Sequence, residues 1–258
     1  EIGSGLVGSE MCIRDRLDTV RDIRHEAPGI GAYKLYLMLK ELYPDGMRGR
    51  DWFYGLMHES HLMLKLGKRR HTTSSNHPYR KYKNMIKGLT VNRINQLWVA
   101  DITYIDTDEG VAYLHLLTDA FTHEIIGWVL SDSLVASNTV TALEMGISHV
   151  SPLGFDGLIH HSDRGVQYCC NQYIDRLQAI KATISMTEDY KPTDNAIAER
   201  VNGIIKQEWL YRMKRPPDVV VARDLLGRII GFYNNRRPQR SNRDMLPPVR
   251  FREALTCM

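Results

Sequence analysis

Long apolar runs are missing from this chain of 258 residues. No stretch approaches the roughly 18–20 consecutive apolar residues of a membrane-spanning helix, and none has the shape of a secretory signal, so no membrane role is expected. Cysteine is scarce as well. Cys12, Cys169, Cys170 and Cys257 show no framework spacing and two of them are adjacent, which argues against a disulfide scaffold and for the reducing cytoplasm. With 43% hydrophobic and 25% charged residues, the chain also lacks the bias of a disordered or fibrous protein. Its length suits one large domain or two small ones.

One absence is local. Residues 60–100 contain nine Lys and Arg but no Asp or Glu. The formal net charge of +4 hides an alternation: −2 over 1–59, +9 over 60–100, −11 over 101–199 and +9 over 200–252. Basic segments of this size suit phosphate contact, whereas an acidic centre repels a polyanion unless it holds cations.

Glu1–Arg16 is rich in Gly and Ser, aperiodic, and does not begin with Met. It reads as a non-native leader and is set apart from the fold, Cys12 with it. Residues 17–66 read as a small helical module, with helices over Leu17–Glu26, Tyr33–Leu42 and Trp52–Glu59 and turns at Ala27-Pro28-Gly29 and Tyr43-Pro44-Asp45-Gly46. That pattern suits a helix-turn-helix-like DNA-binding unit or a plain helical subdomain. Residues 67–93 form a basic linker, polar over Thr72–Asn76. Tyr79 and Tyr82 there interleave with Arg80, Lys81 and Lys83, a mixture of stacking and cationic groups found in nucleic-acid channels.

From 94 to 258 the period changes. Leu97–Ile105, Ala112–Ala120 and Glu124–Ser131 predict a three-stranded meander. A helix (Ser137–His149), a strand (Gly157–His161), a helix (Gln167–Ile180), a strand (Ala182–Met186) and a long helix (Asn195–Tyr211) follow. The fold class is α/β: a mixed sheet flanked by helices, preceded by the helical module.

Three carboxylates stand out. Asp101 lies mid-strand in LWVADITYI, sharing a face with Val99, Thr103 and Ile105, where a charge is costly unless something offsets it. Asp163 ends the apolar strand GLIHHSD, at the carboxyl edge where open α/β sheets place ligands. On the long helix, Ile197, Val201, Ile204, Ile205 and Trp209 form the core stripe, which leaves Glu199, Asn202 and Lys206 on another side. Three such carboxylates repel one another. Two Mg²⁺ ions resolve the conflict, since hard cations take oxygen ligands and a pair can serve both the attacking and leaving oxygens of a phosphodiester. Lys206 would then reach toward a phosphate.

Thirty-five residues separate Asp163 from Glu199, a spacing that resembles the D,D(35)E catalytic core of the retroviral-integrase and transposase superfamily. Trp98–Ile105, His161–Tyr168 and Asp194–Glu199 look like the motifs of OrfB-type transposases of bacterial insertion sequences. Tyr233-Asn234-Asn235-Arg236-Arg237-Pro238 with Leu246-Pro247-Pro248 resembles their closing motif, and Gly29–Leu35 their N-terminal helical module. The resemblance covers about Leu17 to Phe251. It implies a ribonuclease-H-like fold in which Asp101, Asp163 and Glu199 are catalytic and bind two Mg²⁺, with Mn²⁺ able to substitute. It implies DNA contacts at Lys206, Arg164, Asn195, Arg236 and Arg237, to which the basic pattern of the linker adds Arg80, Lys81 and Lys83. It further implies metal-dependent cleavage at element ends and strand transfer by a homo-oligomer on double-stranded DNA, together with an upstream first-frame (OrfA) product or fusion, in the bacterial cytoplasm. Two departures stand in the motifs: residues 188–193 lack a glycine common in relatives, and Gln239 replaces a common His.

Other readings compete. A ribonuclease-H-type nuclease or a non-catalytic DNA-binding regulator could use the same scaffold. His160, His161, Cys169 and Cys170 suggest zinc, although adjacent cysteines without a second Cys-x-x-Cys suit a structural site poorly. His161 matches the motif but also reads as packing beside the site, and Asn195 as a helix cap.

Overall fold

The computed structural model describes residues 4–64, 78–150, 154–188 and 195–256, with side chains from Ile13 onward. Lys65, then Lys68, Arg69, Arg70 and Thr72–Asn76 of the basic linker, the loop Asp189–Asp194 and Cys257 lie outside these residues.

Three helices come first: α1 (Ser4–Glu26), α2 (Ala32–Leu42) and α3 (Arg50–Glu59). α1 begins well before Leu17, so no break in structure marks the end of the leader. Arg16 is buried, donates to Gly46 O at 2.5 Å and stacks over Tyr43. The sheet contains β1 (Leu97–Asp106), β2 (Val111–Asp119), β3 (Ile125–Ser131), β4 (Ile159–Ser162) and β5 (Thr183–Met186) in the order β3-β2-β1-β4-β5. β1–β3 pair antiparallel as the expected meander, and β4 and β5 add in parallel. Between strands lie α4 (Ala136–Val150), α5 (Val166–Cys169) and α6 (Asn171–Ala179), and after them α7 (Ala196–Glu208), α8 (Val219–Asn235) and α9 (Pro248–Thr256). This is the mixed, ribonuclease-H-like α/β arrangement expected.

Two differences have physical causes. The single helix expected over Gln167–Ile180 breaks at Cys170, which is extended, and the break accompanies edge-to-face packing of buried Tyr168 and Tyr173. α8 goes beyond the elements expected. Its stripe of Ala222, Leu226, Ile229, Ile230 and Tyr233 is buried, and Asp218 caps it by accepting from Val221 N at 2.8 Å.

Each sheet face buries its own core. Trp98, Leu117, Ile126 and Ile184 pack with Leu143, Ile147, Tyr173 and Leu177 of α4 and α6. On the other face, Leu114, Leu116, Ile125 and Leu130 join Val201, Ile205 and Trp209 of α7 and the stripe of α8. Val20, Ile23, Leu35, Leu39, Phe53 and Met57 of the helical module belong to that same apolar cluster. Among the described residues no helix is long and apolar enough to cross a membrane.

Two histidines are buried between layers. His160 Nε2 meets Tyr173 Oη at 2.9 Å, and His115 Nδ1 meets Thr139 Oγ1 at 2.8 Å. Burial pushes them down, His160 to about 3 and His115 to about 4. The unfolded chain therefore takes up these protons near the ordinary value of about 6.5, so their contribution to stability is complete above that pH and is lost as pH falls toward 4. The urea midpoint is expected to fall more steeply on acidification in the parent than in His160→Gln. Comparing slopes isolates His160 from Asp101 and Asp119, whose raised values act with the opposite sign. Equal slopes would contradict the assignment.

Candidate active site

The register between strands places the first two carboxylates. β1 and β4 pair Leu97 with Ile159, Trp98 with His160 and Val99 with His161. Carried two residues further, the same offset brings Asp163 abreast of Asp101. The turn just past β4 then holds Asp163, whose Oδ1 accepts from Gly165 N at 2.9 Å. A Cβ on Gly165 would stand 3.0 Å from that oxygen, so a side chain there crowds the carboxylate.

α7 lies across β1 and brings the third. Asn195, at its N-terminus, makes no capping bond; its side-chain amide donates to Ala100 O of β1 at 3.2 Å. Glu199 is exposed in the first turn. Asn202, three residues on, is 5% exposed and donates to Asp101 Oδ2 at 2.6 Å. Lys206 is half-buried on the same side. Its value is lowered by burial, with Asp101 and Asp106 opposing.

The electrostatics follow from this crowding. Burial raises Asp101 to about 7, and the charges of Asp163 and Glu199 push in the same direction against the hydrogen bond from Asn202. A carboxylate held this close to neutrality, with hard oxygen donors around it, is the chemistry a divalent cation would relieve. Among the described residues no three His, Cys, Asp or Glu side chains are already gathered as a metal-holding group. The donors therefore fit a cation in kind, with Glu199 still on the exposed side of α7.

The expected DNA contacts separate. Arg80, Lys81 and Lys83 are exposed on a segment joined to β5, where Met85 N donates to Ser185 Oγ at 2.8 Å and Met186 N to Lys83 O at 3.3 Å. Arg80 stacks over Tyr82. Arg164 donates to Glu188 O at 2.9 Å, and Glu188 also takes Lys87 and Asn84 N. Arg236 pairs with Glu26 and lies over Phe232. Arg237 needs a different reading. It is 3% exposed, and its guanidinium forks onto Glu208 with two 2.8 Å bonds and donates a third, at 2.7 Å, to Gln239. So buried and engaged a side chain is a charge fixed by the fold, not an exposed arm that reaches out to a duplex. Gln239, also buried, is the partner of this arginine.

Residues of the zinc reading have other partners. His160 faces Tyr173, His161 Nδ1 meets Ser185 Oγ at 2.8 Å, and Cys169 Sγ lies 3.7 Å from Met186 Sδ. Two residues outside the sequence-derived set matter. Asn202 was signalled by sharing a helix face with Glu199 and Lys206. Glu208 was not signalled at all, because its partners are distant in sequence.

Two family models, each described as an integrase core domain, match residues 91–192 and 180–248. The chain is 34% identical over 211 residues to an insertion element IS600 uncharacterized 31 kDa protein of Shigella sonnei, covering 80% of this chain and 75% of that protein. It is 33% identical over 173 residues to the transposase for insertion sequence element IS629 of Shigella sonnei, covering 66% of this chain and 56% of that protein. The HTLV-2 integrase catalytic core domain, solved in complex with magnesium in a trimeric form, aligns with a TM-score of 0.47 at 17% identity over 61% of this chain and 96% of that one. Integrase-core matches over the whole sheet and the helices that follow it, with 34% identity spread over three quarters of a relative, place this chain in the family of insertion-sequence transposases built on an integrase core.

Proposed function

We propose that this chain cleaves phosphodiesters at the ends of an insertion element and transfers the exposed 3′-hydroxyl ends into target DNA, with Asp101, Asp163 and Glu199 as its catalytic carboxylates. The observation that carries the reading is the β1–β4 register, which sets Asp101 and Asp163 side by side beneath the helix that bears Glu199. The oxygen donors suit two Mg²⁺ ions, or Mn²⁺ in their place. When bound, such cations supply Lewis acidity to the attacking and leaving oxygens.

The protein's own groups position the reaction. Asn202 fixes the Asp101 carboxylate by donating to one of its oxygens. Asn195 ties the start of α7 to β1, and so holds Glu199 in register with the strand. Lys206, one turn beyond Asn202, offers a cation to a substrate phosphate, and the exposed Arg80, Lys81 and Lys83 extend that field. No side chain here is a covalent nucleophile; the work is positioning and charge stabilisation. In this reading residues 17–66 are a DNA-binding-like module, 67–93 a basic linker and 1–16 a leader. The partners are element ends and target DNA, further copies of the chain, and an OrfA product or fusion.

Duplex DNA carrying the element's terminal repeats is expected to be nicked and joined to a target plasmid with Mg²⁺ and left intact with EDTA. Hydrolysis without joining would favour the nuclease, and metal-independent binding with neither step would favour the regulator.

A further inference from the structure

Two sequence motifs play no part in the carboxylate site: Gly29–Leu35 and the closing Tyr233–Pro238. They meet behind α7. A helix turns about 100° per residue, so Glu199, Asn202 and Lys206 share one face while Arg200, Ile204 and Glu208 share the opposite one. On that opposite face lies a cavity of about 270 Å³, lined by Gly31 and Lys34 of α2, Arg200 of α7, and Arg237, Gln239 and Arg240 after α8. A water in the liquid takes about 30 Å³, so the cavity has room for a tetrahedral anion with part of its hydration shell.

Its charge is one-sided. Four cationic side chains line it and no Asp or Glu does. The nearby Glu208 is already engaged, accepting from Lys34 at 2.8 Å and from Arg237 twice. That leaves Arg200 and Arg240, which have no ion pair among the described residues, as excess positive charge. Lys34 registers the crowding: burial lowers its value, and the repulsion of Arg237 and Arg200 adds to this against Glu208. Gly31, just before α2, has open space where a Cβ would stand. Three segments far apart in sequence thus build one basic, partly enclosed cavity.

We propose that this cavity binds a backbone phosphate of DNA, behind the catalytic helix and apart from the three carboxylates. Arg200 and Arg240 engage the phosphate, and Lys34 and Arg237, held by Glu208, are the fixed charges at its wall. The contact is sequence-independent and needs no divalent cation. It deepens the transposase reading, on which it rests, by adding an anchor that the carboxylates do not supply.

The test uses the full chain and the Arg200→Gln/Arg240→Gln double variant, leaving the Glu208 cluster intact. Anisotropy of two labelled duplexes of unrelated sequence is followed in EDTA over a salt series. The variant is expected to bind both several-fold more weakly, with the slope of log K against log[salt] shallower by about 1 for the lost phosphate contact, and to melt at the parent temperature. Equal affinity and equal slope would overturn the proposal. Inorganic phosphate is a second probe. If it raises the parent's melting temperature but not the variant's while duplex affinity stays equal, the cavity takes free phosphate and the backbone assignment fails. Joining of element ends by a parent whose DNA binding equals the variant's sinks the cavity and leaves the transposase standing. A parent that binds duplex through these arginines yet neither cleaves nor joins does the reverse.

Discussion

Asp163→Asn is expected to abolish Mg²⁺-dependent cleavage and joining while duplex binding persists. The amide keeps the size of the side chain and can still accept from Gly165 N, so the turn after β4 keeps its shape. What is lost is one of the charges that crowd Asp101 and raise it to about 7, together with an oxygen ligand for the cation. Metal stabilisation of a developing charge is worth several kcal/mol, and about 4 kcal/mol corresponds to roughly 10³-fold in rate. The loss should therefore be at least of that order in single-turnover joining. Binding measured in EDTA should be unchanged, because the phosphate contacts lie on Lys and Arg side chains. Residual joining within tenfold of the parent would remove Asp163 from the catalytic set. Loss of binding along with joining would indicate misfolding, and a melting curve separates that outcome.

Glu208→Ala is expected to be the most destabilising single change outside the apolar core. Glu208 accepts from Lys34 of the helical module and twice from Arg237 after α8. Burial opposes its charge, yet the hydrogen bonds and attraction of Arg237, followed by those of Lys34, hold its value below the ordinary carboxylate range. Arg237 is likewise held above its ordinary value against burial by the same carboxylate. Removing Glu208 strands a buried guanidinium, which costs about 3–5 kcal/mol. That is a large share of the 5–15 kcal/mol that holds a typical protein folded. At about 2–4 °C per kcal/mol for a chain near this size, the melting temperature should drop by about 6–20 °C. Pairing the change with Arg237→Met should recover part of the loss, since the buried guanidinium is then gone and only Lys34 is left without its carboxylate. A single variant that melts within 2 °C of the parent, or a double variant worse than the single, would contradict the clamp.

Much of the sheet was legible because alternation is a local signal. The faces of β1 follow from its residues, and the mid-strand aspartate betrays itself by being the wrong residue for a strand. The Asp163–Glu199 spacing was equally local to read. What was not legible is pairing at a distance. Arg237 is one arginine among several in a basic tail, and its charge alone suggests a phosphate. Its true partner stands 29 residues earlier, with Lys34 174 residues from that same carboxylate. Asn202 shared a readable helix face, but the bond to Asp101 depends on how α7 crosses β1, which periodicity does not encode. α8 carried a usable stripe and an aspartate cap, signals as local as those of the strands. The break at Cys170 had no proline or glycine to announce it.

Gly29 has its own bearing on how the helical module seats. Its N–H donates to Glu208 O at 2.6 Å, and a Cβ there would fall 2.4 Å from Glu208 Cα. Trp209 Nε1 donates to Glu26 O at 2.8 Å beside it. The helical module therefore leans on α7 backbone to backbone, with no room for a side chain between them. Any helical module seated against the helix that carries Glu199 in this way needs a residue without a side chain at position 29. The helical module and the helix that carries Glu199 are thus one packing unit, and a side chain introduced at Gly29 would displace both at once.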